Sequence, residues 1–285
     1  MSRIVVLGDL NLDVHAKQPT HLDSGSELRS TVWAAPGGSA GTFARVASDE
    51  GAWVTFIGCV GNDLIGDLLV RSLEASGVRP HICHVDLPSG TILALEQGTE
   101  RAMVCSRGAN DGLTADSVDE VSFDGIDHLH VSGYALLSDP QRDAARRAMG
   151  LAHARGASIS VDPPPANLIE HFGVASFLEE LKQVTWIFPN LTEGQTLTEL
   201  EDPEEIVDSL ANRFLTGALT LGSAGALAWR GRERNLQPPP RMVSGDSTGA
   251  GDAFAAAFSV SLLGGSSLSD ANARGCEVAA GRIHG

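Results

Sequence analysis

The sequence predicts an α/β domain with a central, mostly parallel sheet covered by helices and a small β element at its edge. Two observations support this prediction. Short apolar runs typical of buried strands alternate with segments of helical spacing, as in parallel sheets with helical connections. The stretches 10–34 and 80–107 break this alternation, because they hold short alternating segments without intervening helices. We interpret them as an antiparallel lid inserted into one domain that spans residues 1–285.

The individual elements follow from their apolar spacing and their end signals. The predicted strands are 4–7, 53–57, 128–131, 158–161, 185–188 and 218–221. The predicted helices are 39–50, 62–76, 138–156, 202–214, 249–263 and 269–283. Gly51 and Gly77 stop the first two helices. At the third, Ser138 supplies a cap, Pro140 falls in the first turn, and Gln141 follows Ser138 by three residues, which together mark a helix start.

Composition and charge narrow the classes of partner. With 285 residues the chain can bury one large core, and its formal net charge of −16 repels nucleic acid and anionic membranes. No apolar run approaches the ~18 residues of a membrane helix, and the first strand begins too early for a signal peptide. We therefore expect a cytoplasmic protein. Its widely spaced cysteines, Cys59, Cys83, Cys105 and Cys276, are expected to be free thiols.

The sharpest motif is Gly-Asp-Ser-Thr-Gly-Ala-Gly-Asp at residues 245–252, where a long apolar helix begins. Small residues there expose the free N–H groups of the first helical turn, which favour a negative charge together with the helix dipole. The N–H groups of Gly249, Ala250 and Gly251 would stabilise a transferring phosphoryl group, and Asp252 would accept the proton of the attacking hydroxyl. The alternative is a glycine-rich turn with Asp252 as a helix cap.

Residues 246–252 resemble the C-terminal signature of the ribokinase-like (PfkB) carbohydrate kinases, Asp-Thr-x-Gly-Ala-Gly-Asp, with Ser247 for the usual Thr. Further motifs follow the family plan in the same order, so the resemblance covers essentially the whole chain. It implies a ribokinase-like fold and transfer of the ATP γ-phosphoryl group to a hydroxyl of a sugar or sugar-like molecule. It also implies Asp252 as catalytic base, ATP and Mg²⁺ as cofactors, and a monovalent cation such as K⁺ at Asp246.

On the substrate side, the resemblance points to two segments. Asp13, which follows the first strand with Asn11 beside it, corresponds to an Asp that hydrogen-bonds sugar hydroxyls, and a carboxylate accepts well from two adjacent hydroxyls. The alternative is an acidic turn. Gly37 and Gly38 match the N-terminal signature, whose paired glycines let backbone approach the substrate closely.

Three further positions bear on which substrate is bound. Thr42 stands where the family usually has an Asn that contacts sugar hydroxyls, which leaves the identity of the substrate open. Arg101 and Arg107 flank the segment that returns from the lid, where either contacts substrate or phosphate or is solvated. Asp162 stands where many members carry an Asp followed by Asn and Arg, and the missing Arg counts against a sugar-acid substrate.

On the nucleotide side, a net charge that repels ATP requires a site built locally from backbone N–H groups, arginine and a metal ion. The only lysines, Lys17 and Lys182, lie outside any P-loop pattern. Asn190 and Glu193 match the family's Asn-x-x-Glu, which positions Mg²⁺ largely through water, and a capping arrangement is the alternative. The residues implied to lie beside the nucleotide are Asn190, Thr220, Gly222, Ser223, Gly225 and Asn272.

Other functions stay open at this point. Residues 37–41 also fit the Gly-x-Ser-x-Gly elbow of serine hydrolases with Ser39 as nucleophile, although 34–36 would be a poor end for the strand that the elbow needs. A non-catalytic binding homologue is disfavoured by the intact Asp252. Within the kinase class, ribose, a hexose, a sugar acid, a sugar phosphate and a nucleoside all remain candidates. The exposed edges of the lid favour a homodimer.

Overall fold

The computed structural model describes residues 1–17, 27, 29–97, 100–240 and 248–282. Its strands are β1 Arg3–Leu7, β2 Asn11–Lys17, β3 Val32–Gly37, β4 Trp53–Gly61, β5 Arg79–Val85, β6 Gly90–Gln97, β7 Glu100–Ser106, β8 His128–Ser132, β9 Ser158–Asp162, β10 Trp186–Ile187, β11 Thr216–Thr220, β12 Ala226–Arg230 and β13 Glu233–Gln237. Its α-helices are α1 Ser39–Asp49, α2 Leu64–Ala75, α3 Gln141–Ala154, α4 Ala166–Phe172, α5 Val174–Glu180, α6 Leu191–Thr198, α7 Pro203–Ala211, α8 Ala250–Leu263 and α9 Leu268–Arg282.

The strands form two separate sheets. The large sheet has the order β13-β12-β11-β10-β9-β8-β1-β4-β5, and the small sheet has the order β3-β2-β6-β7. All neighbours from β11 to β5 run parallel, while β12 and β13 form an antiparallel hairpin at one edge. The fold class predicted from the alternation of strands and helices is confirmed.

Strand β1 shows why the large sheet is covered on both faces. Ile4 and Val6 pack on the face covered by α1, α2, α8 and α9, whereas Val5 and Leu7 pack on the face covered by α3, α5 and α7. Successive side chains of a strand point to opposite faces, so an uninterrupted apolar run must be buried on both. The same parallel arrangement brings the carboxyl ends of β1, β8, β9, β10 and β11 to one edge of the sheet.

The small sheet differs from the prediction in its pairing. β2–β3 and β6–β7 are antiparallel, but the central pair β2–β6 is parallel, so the prediction of a purely antiparallel element is wrong there. β5 overlaps the stretch 80–107, yet it pairs with β4 in the large sheet. Because β2 follows the carboxyl end of β1, and β6 follows that of β5, the small sheet stands beside the carboxyl edge of the large one.

Two local expectations are also corrected. The helix predicted from Ser138 begins only at Gln141, without a side-chain cap. Cys59 and Cys83 lie opposite each other in the register of β4 and β5 and are joined by a disulfide, so the expectation of free thiols holds only for Cys105 and Cys276. None of the described helices combines the length and apolarity that crossing a membrane requires.

Candidate active site

A cleft of about 1060 Å³ separates the carboxyl edge of the large sheet from the inner face of the small sheet. Open α/β sheets bind their ligands at this edge, because the loops that follow the parallel strands meet there. The cleft brings together most of the residues that the sequence pointed to. They are Asn11, Asp13, Gly37, Gly38, Thr42, Asn190, Glu193, Thr220, Gly249, Gly251 and Asp252.

Asp252 lies in the first turn of α8, directly after the glycine-rich turn. Gly249 caps this helix with φ 73°, a left-handed conformation that favours glycine, and a Cβ there would lie 3.2 Å from the Thr42 methyl. Burial raises the pKa of Asp252 to about 6, although a hydrogen bond from the Ser39 hydroxyl opposes this shift. The first N–H groups of a helix have no partner within it. Asp252 is therefore a carboxylate that can accept a proton near neutral pH, beside backbone donors that have no partner within the helix.

Asp13 is a buried carboxylate on β2 that faces the cleft. Gly37 lies on the neighbouring strand, and a Cβ at that position would lie 2.0 Å from Asp13 Oδ2, so the absence of a side chain makes room for the carboxylate. Burial and the nearby Asp9 raise the pKa of Asp13 to about 6. Its Oδ1 accepts no hydrogen bond from any described residue. Buried acceptors are normally satisfied, so this oxygen is suited to a donor supplied by a ligand.

The side-chain polar atoms of Asn11, in contrast, already form hydrogen bonds within the protein. Its Nδ2 donates to Asp9 Oδ2 at 3.2 Å, and its Oδ1 accepts from Asn110 Nδ2 at 2.7 Å. Asn110 also accepts from the Leu10 N–H at 2.9 Å. These bonds fasten the start of β2 to the chain that returns from the small sheet.

Arg45 is a buried charged residue near Asp13 and Asp252 that the sequence did not reveal. Its buried guanidinium donates through Nη2 to the Pro36 carbonyl at 2.9 Å and to Thr42 Oγ1 at 3.3 Å. Burial lowers the pKa of Arg45 to about 10, which the charges of Asp13 and Asp252 oppose. An arginine three residues after Thr42 shares its face of α1. That spacing was the available signal, but an arginine on a helix is usually exposed.

Asp162 ends β9 in the same cleft and lies against Asp252. Burial, and then the Asp252 and Glu193 carboxylates, hold the pKa of Asp162 well above its ordinary value. Two carboxyl groups in contact do not both ionise readily. Asp162 therefore keeps its proton while Asp252 ionises, and it hydrogen-bonds to Asp252.

Asn190 and Glu193 form a complete capping box at the start of α6. Asn190 Oδ1 accepts from the Glu193 N–H at 3.0 Å, and Glu193 Oε2 accepts from the Asn190 N–H at 2.9 Å. Asn190 Nδ2 donates to Glu193 Oε1 at 2.6 Å. Burial raises the pKa of Glu193 to about 8. Over the described ranges, no group of three or more His, Cys, Asp or Glu side chains is arranged to hold a metal ion.

The remaining predicted nucleotide residues divide into two groups. Thr220 lies in the cleft, and its N–H donates to the Pro189 carbonyl at 2.9 Å. Gly222 and Ser223 are exposed in a 3₁₀ turn that follows β11. Gly225 has φ 94° and is buried, and a Cβ there would lie 1.9 Å from the Gln237 carbonyl oxygen. Its glycine is therefore required by the close approach of the β12–β13 hairpin.

Asn272 is fully buried on α9 and serves the packing of the same hairpin. Its Nδ2 donates to the Ala226 carbonyl at 3.1 Å, the Asn235 carbonyl at 3.0 Å and Asn235 Oδ1 at 2.8 Å. The structure thus gives this side chain a role between helix and hairpin, away from the cleft lining. Two predicted residues cannot be placed in this way. Asp246 lies outside the described residues, and so does the side chain of Arg101.

The outcome for Ser39 bears on the hydrolase alternative. β3 ends at Gly37, so a strand does precede the Gly-x-Ser-x-Gly segment, contrary to expectation. This strand is nevertheless mostly exposed, whereas the elbow needs a buried strand. The Ser39 hydroxyl also donates its hydrogen to Asp252 Oδ1 at 2.7 Å rather than to an imidazole. A serine nucleophile needs a base that is itself oriented, usually histidine. The contacts of Ser39 do not support that role.

Comparison with known proteins gives one consistent match. The family model described as pfkB family carbohydrate kinase matches residues 1–284. A ribokinase of Bacillus subtilis is 26% identical over 276 residues, covering 94% of this chain and 88% of the relative. The adenosine kinase of Sinorhizobium meliloti superposes with a TM-score of 0.88 at 24% identity, covering 99% and 94% of the two chains. A structure from E. coli described as ribokinase II in complex with ATP and Mg²⁺ superposes with a TM-score of 0.85 at 23% identity, covering 99% and 94%.

Proposed function

Because the chain belongs to the pfkB family of carbohydrate kinases, we propose that it phosphorylates a hydroxyl of a neutral sugar or nucleoside, with Asp252 as the catalytic base. As a member of this family it is an ATP-dependent phosphotransferase for a sugar-like substrate. One observation carries the residue-level proposal. Asp252, in the first turn of α8, opens into the same cleft as Asp13, whose Oδ1 has no partner among the described residues.

The proposed reaction is an in-line transfer. Asp13 accepts hydrogen bonds from substrate hydroxyls and orients the substrate, together with backbone at Gly37 and Gly38. Asp252 takes the proton of the attacking substrate hydroxyl. The hydroxyl oxygen bonds to the γ-phosphorus of ATP, and the bond between this phosphorus and the bridging oxygen breaks, which releases ADP. The N–H groups of Gly249, Ala250 and Gly251 donate to the oxygens of the transferring phosphoryl group. Closure of the small sheet over the cleft would exclude water and prevent hydrolysis of ATP.

The charges of the cleft favour an uncharged substrate. Asp9 and Asp13 make the substrate side acidic, and they would repel a sugar acid or a sugar phosphate. Arg107 lines the same cleft, but its Nε is already paired with Asp111 Oδ1 at 2.7 Å, and it also contacts Gln141. This pairing reduces its capacity to neutralise an anionic substrate.

The inner face of the small sheet favours a substrate with a flat apolar part. Trp33, Ile92 and Met103 line the cleft beyond Asp13. The Trp33 ring stacks on His15, with centroids 4.9 Å apart and an interplanar angle of 5°. Apolar and aromatic walls suit either the less polar face of a sugar ring or the base of a nucleoside. A nucleoside therefore remains the second candidate substrate within the same activity.

Mg²⁺ fits the residues of the cleft through water. Mg²⁺ retains several waters and needs only one or two carboxylates in addition to substrate phosphates. Both oxygens of Glu193 already accept hydrogen bonds from Asn190, and its pKa is raised to about 8 by burial, so a nearby cation would favour its charged form. When bound, Mg²⁺ would neutralise charge on the ATP phosphates. A monovalent cation at Asp246 and a cytoplasmic location stay predictions from the sequence.

We also propose a homodimer through the outer face of the small sheet. Val32, Leu93 and Val104 lie on this face, and Val32 and Val104 are 60% and 63% exposed. β3 and β7 are the edge strands of the sheet. Exposed apolar side chains beside unpaired strand edges are typical of association surfaces.

The test is an ATP-consumption assay with Mg²⁺ across neutral sugars, nucleosides, sugar acids and sugar phosphates. We expect turnover with a neutral acceptor, and Asp252→Asn should reduce kcat by at least about a thousandfold, since it removes the base while keeping the shape. Asp116→Asn, an exposed carboxylate on a distant 3₁₀ turn, is the matched control. Retained activity in Asp252→Asn would refute the base assignment. Turnover with only anionic acceptors would refute the proposed substrate class.

A further inference from the structure

We propose that Ser39 is a positioning residue that holds the Asp252 carboxylate in the orientation for proton abstraction. This inference rests on the proposed function, since it assigns a partner to the proposed base. Ser39 is the first residue of α1, and Asp252 lies in the first turn of α8. The two helix starts meet in the cleft, although 213 residues separate the two side chains in the sequence.

A chain of hydrogen bonds fixes the serine. The Ser39 N–H donates to Asp9 Oδ2 at 3.0 Å, and the same oxygen accepts from Asn11 Nδ2 at 3.2 Å. Gly38 precedes Ser39 with φ 83°, and a Cβ on Gly38 would lie 2.7 Å from the Asp9 carbonyl oxygen. The backbone of Ser39 is thus anchored to the loop after β1, which directs its hydroxyl across to Asp252.

The Ser39 hydroxyl does not make the hydrogen bond that a serine at the start of a helix usually makes. Serine near a helix N-terminus commonly caps its own backbone N–H groups. Here the cap position is Gly38, α1 has no side-chain cap, and Ser39 Oγ instead donates to Asp252 Oδ1 at 2.7 Å. A hydroxyl has one hydrogen, so its donation to Asp252 excludes a second donor role.

This bond has two consequences for the base. It fixes Oδ1, and Oδ2 then lies on the side of Gly249, 3.8 Å from where a Cβ of that residue would stand. Oδ2 is therefore the oxygen nearer to the glycine turn that we assign to the phosphoryl group. A donor to the carboxylate also stabilises its ionised form. Ser39 accordingly opposes the effect of burial on the pKa of Asp252.

The Ser39 bond acts among several other charges and titratable groups. Those that interact with Asp252 from the surrounding elements are Asp9, Asp13, Arg45, Tyr134, Asp162 and Glu193. Because none of them is removed by a change at Ser39, a Ser39→Ala variant isolates the contribution of the hydroxyl.

The decisive measurement is a ¹³C NMR titration of the Asp252 carboxyl in the whole protein, with its resonance assigned by its loss in Asp252→Asn. In Ser39→Ala the titration midpoint should move to higher pH, because the ionised form loses a donor. In parallel, kcat should fall about tenfold, the usual scale for a hydrogen bond to a charged group. KM should stay unchanged, and the acid limb of the kcat/KM profile should move to higher pH.

Ser39→Thr, which keeps the hydroxyl, should restore both the titration and the rate, and Ser122→Ala at the opposite end of the sheet is the matched control. An Asp252 midpoint that is the same in Ser39→Ala and wild type would overturn the proposal. A wild-type protein that phosphorylates no acceptor would contradict the proposed function instead, and the titration would still decide the role of Ser39.

Discussion

Asp13 and Asp252 carry raised pKa values for one main reason, which is burial in a cleft that already holds other carboxyl groups. The buried Arg45 offsets part of this cost, because its charge lowers the pKa of both. Titratable groups shifted toward neutral pH by burial and by like charges cluster at functional sites. The two roles differ nevertheless. Asp252 lies beside backbone N–H groups that have no partner within α8, whereas Asp13 lies on the small sheet, where substrate would enter.

The raised pKa values of Asp13 and Asp252 predict how activity depends on pH. Asp252 must be ionised to accept a proton, Asp13 binds two substrate hydroxyls most strongly as a carboxylate, and both groups have pKa values of about 6. Activity is therefore present above these values and lost as the pH falls through them. We expect log kcat/KM for a neutral acceptor to fall with a slope of about two below pH 6 in wild type and about one in Asp13→Asn.

In the same series, Asp13→Asn should raise the KM for the acceptor by about a hundredfold and leave the KM for ATP close to wild type, since it loses only substrate contacts. Asp116→Asn, at an exposed position outside the cleft lining, serves as a comparison for a general loss of negative charge. Equal changes in the two KM values would contradict the assignment of Asp13 to the substrate. An unchanged slope would show that only one carboxyl controls the acid limb.

What the sequence revealed about single residues depended on how local the signal was. Asp252 and its glycines lie in one short motif, and Asp13 follows the first strand, so both could be predicted. Arg45 could not, because only the packing of α1 shows that its guanidinium is buried. The bond from Ser39 to Asp252 was equally inaccessible, since it joins the starts of two helices distant in sequence.

At the level of elements, the long periodic helices and the apolar strands were predicted, and the shortest helices were not. α1, α2, α7, α8 and α9 begin and end within a few residues of their predicted bounds. α4 and α5 have seven residues each, which is too short for a helical period to be distinguished from an irregular segment. The parallel pair β2–β6 was missed because strand pairing depends on contacts between segments far apart in the chain.

The β12–β13 hairpin yields a prediction about stability at the element scale. Gly225 has φ 94°, and a Cβ would lie 1.9 Å from the Gln237 carbonyl oxygen, so Gly225→Ala must displace backbone. We expect a loss of about 2 kcal/mol or more in the free energy of unfolding, measured by urea denaturation. The hairpin should move away from β11 as the change is accommodated.

Gly150→Ala is the matched control, because Gly150 lies inside α3 and a Cβ there would meet nothing within 4 Å. It should raise the free energy of unfolding by about 0.5–1 kcal/mol, since alanine is the better helix former. If the two variants behaved alike, the close approach at Gly225 would not be the reason for its glycine. A Gly225→Ala variant of normal stability with weak ATP binding would instead favour the nucleotide role predicted from the sequence.

At the scale of the whole molecule, the topology explains how an acidic protein handles an anionic cofactor. The formal net charge is −16, so long-range attraction cannot collect ATP. The carboxyl ends of the parallel strands nevertheless lie at one edge of the sheet. The N–H groups at the start of α8 lie at the same edge, where they favour the negative charge of a phosphate. The sequence predicted this edge as the site. It predicted the small sheet as a lid but not its exact position, which follows from where the chain leaves the large sheet after β1 and β5.

Net charge and the small sheet together determine how two copies would associate. Each copy carries −16, so a dimer is opposed by repulsion that salt screens, while the apolar outer face of the small sheet favours association. We expect sedimentation velocity to show a dimer that becomes stronger with added salt. Val104→Lys puts a charge on the edge strand β7 of that face and should convert the dimer to a monomer. Val121→Lys, equally exposed on a 3₁₀ turn outside this face, should have no effect. A dimer that persists in Val104→Lys would place the interface elsewhere, and a monomeric wild type would refute the dimer.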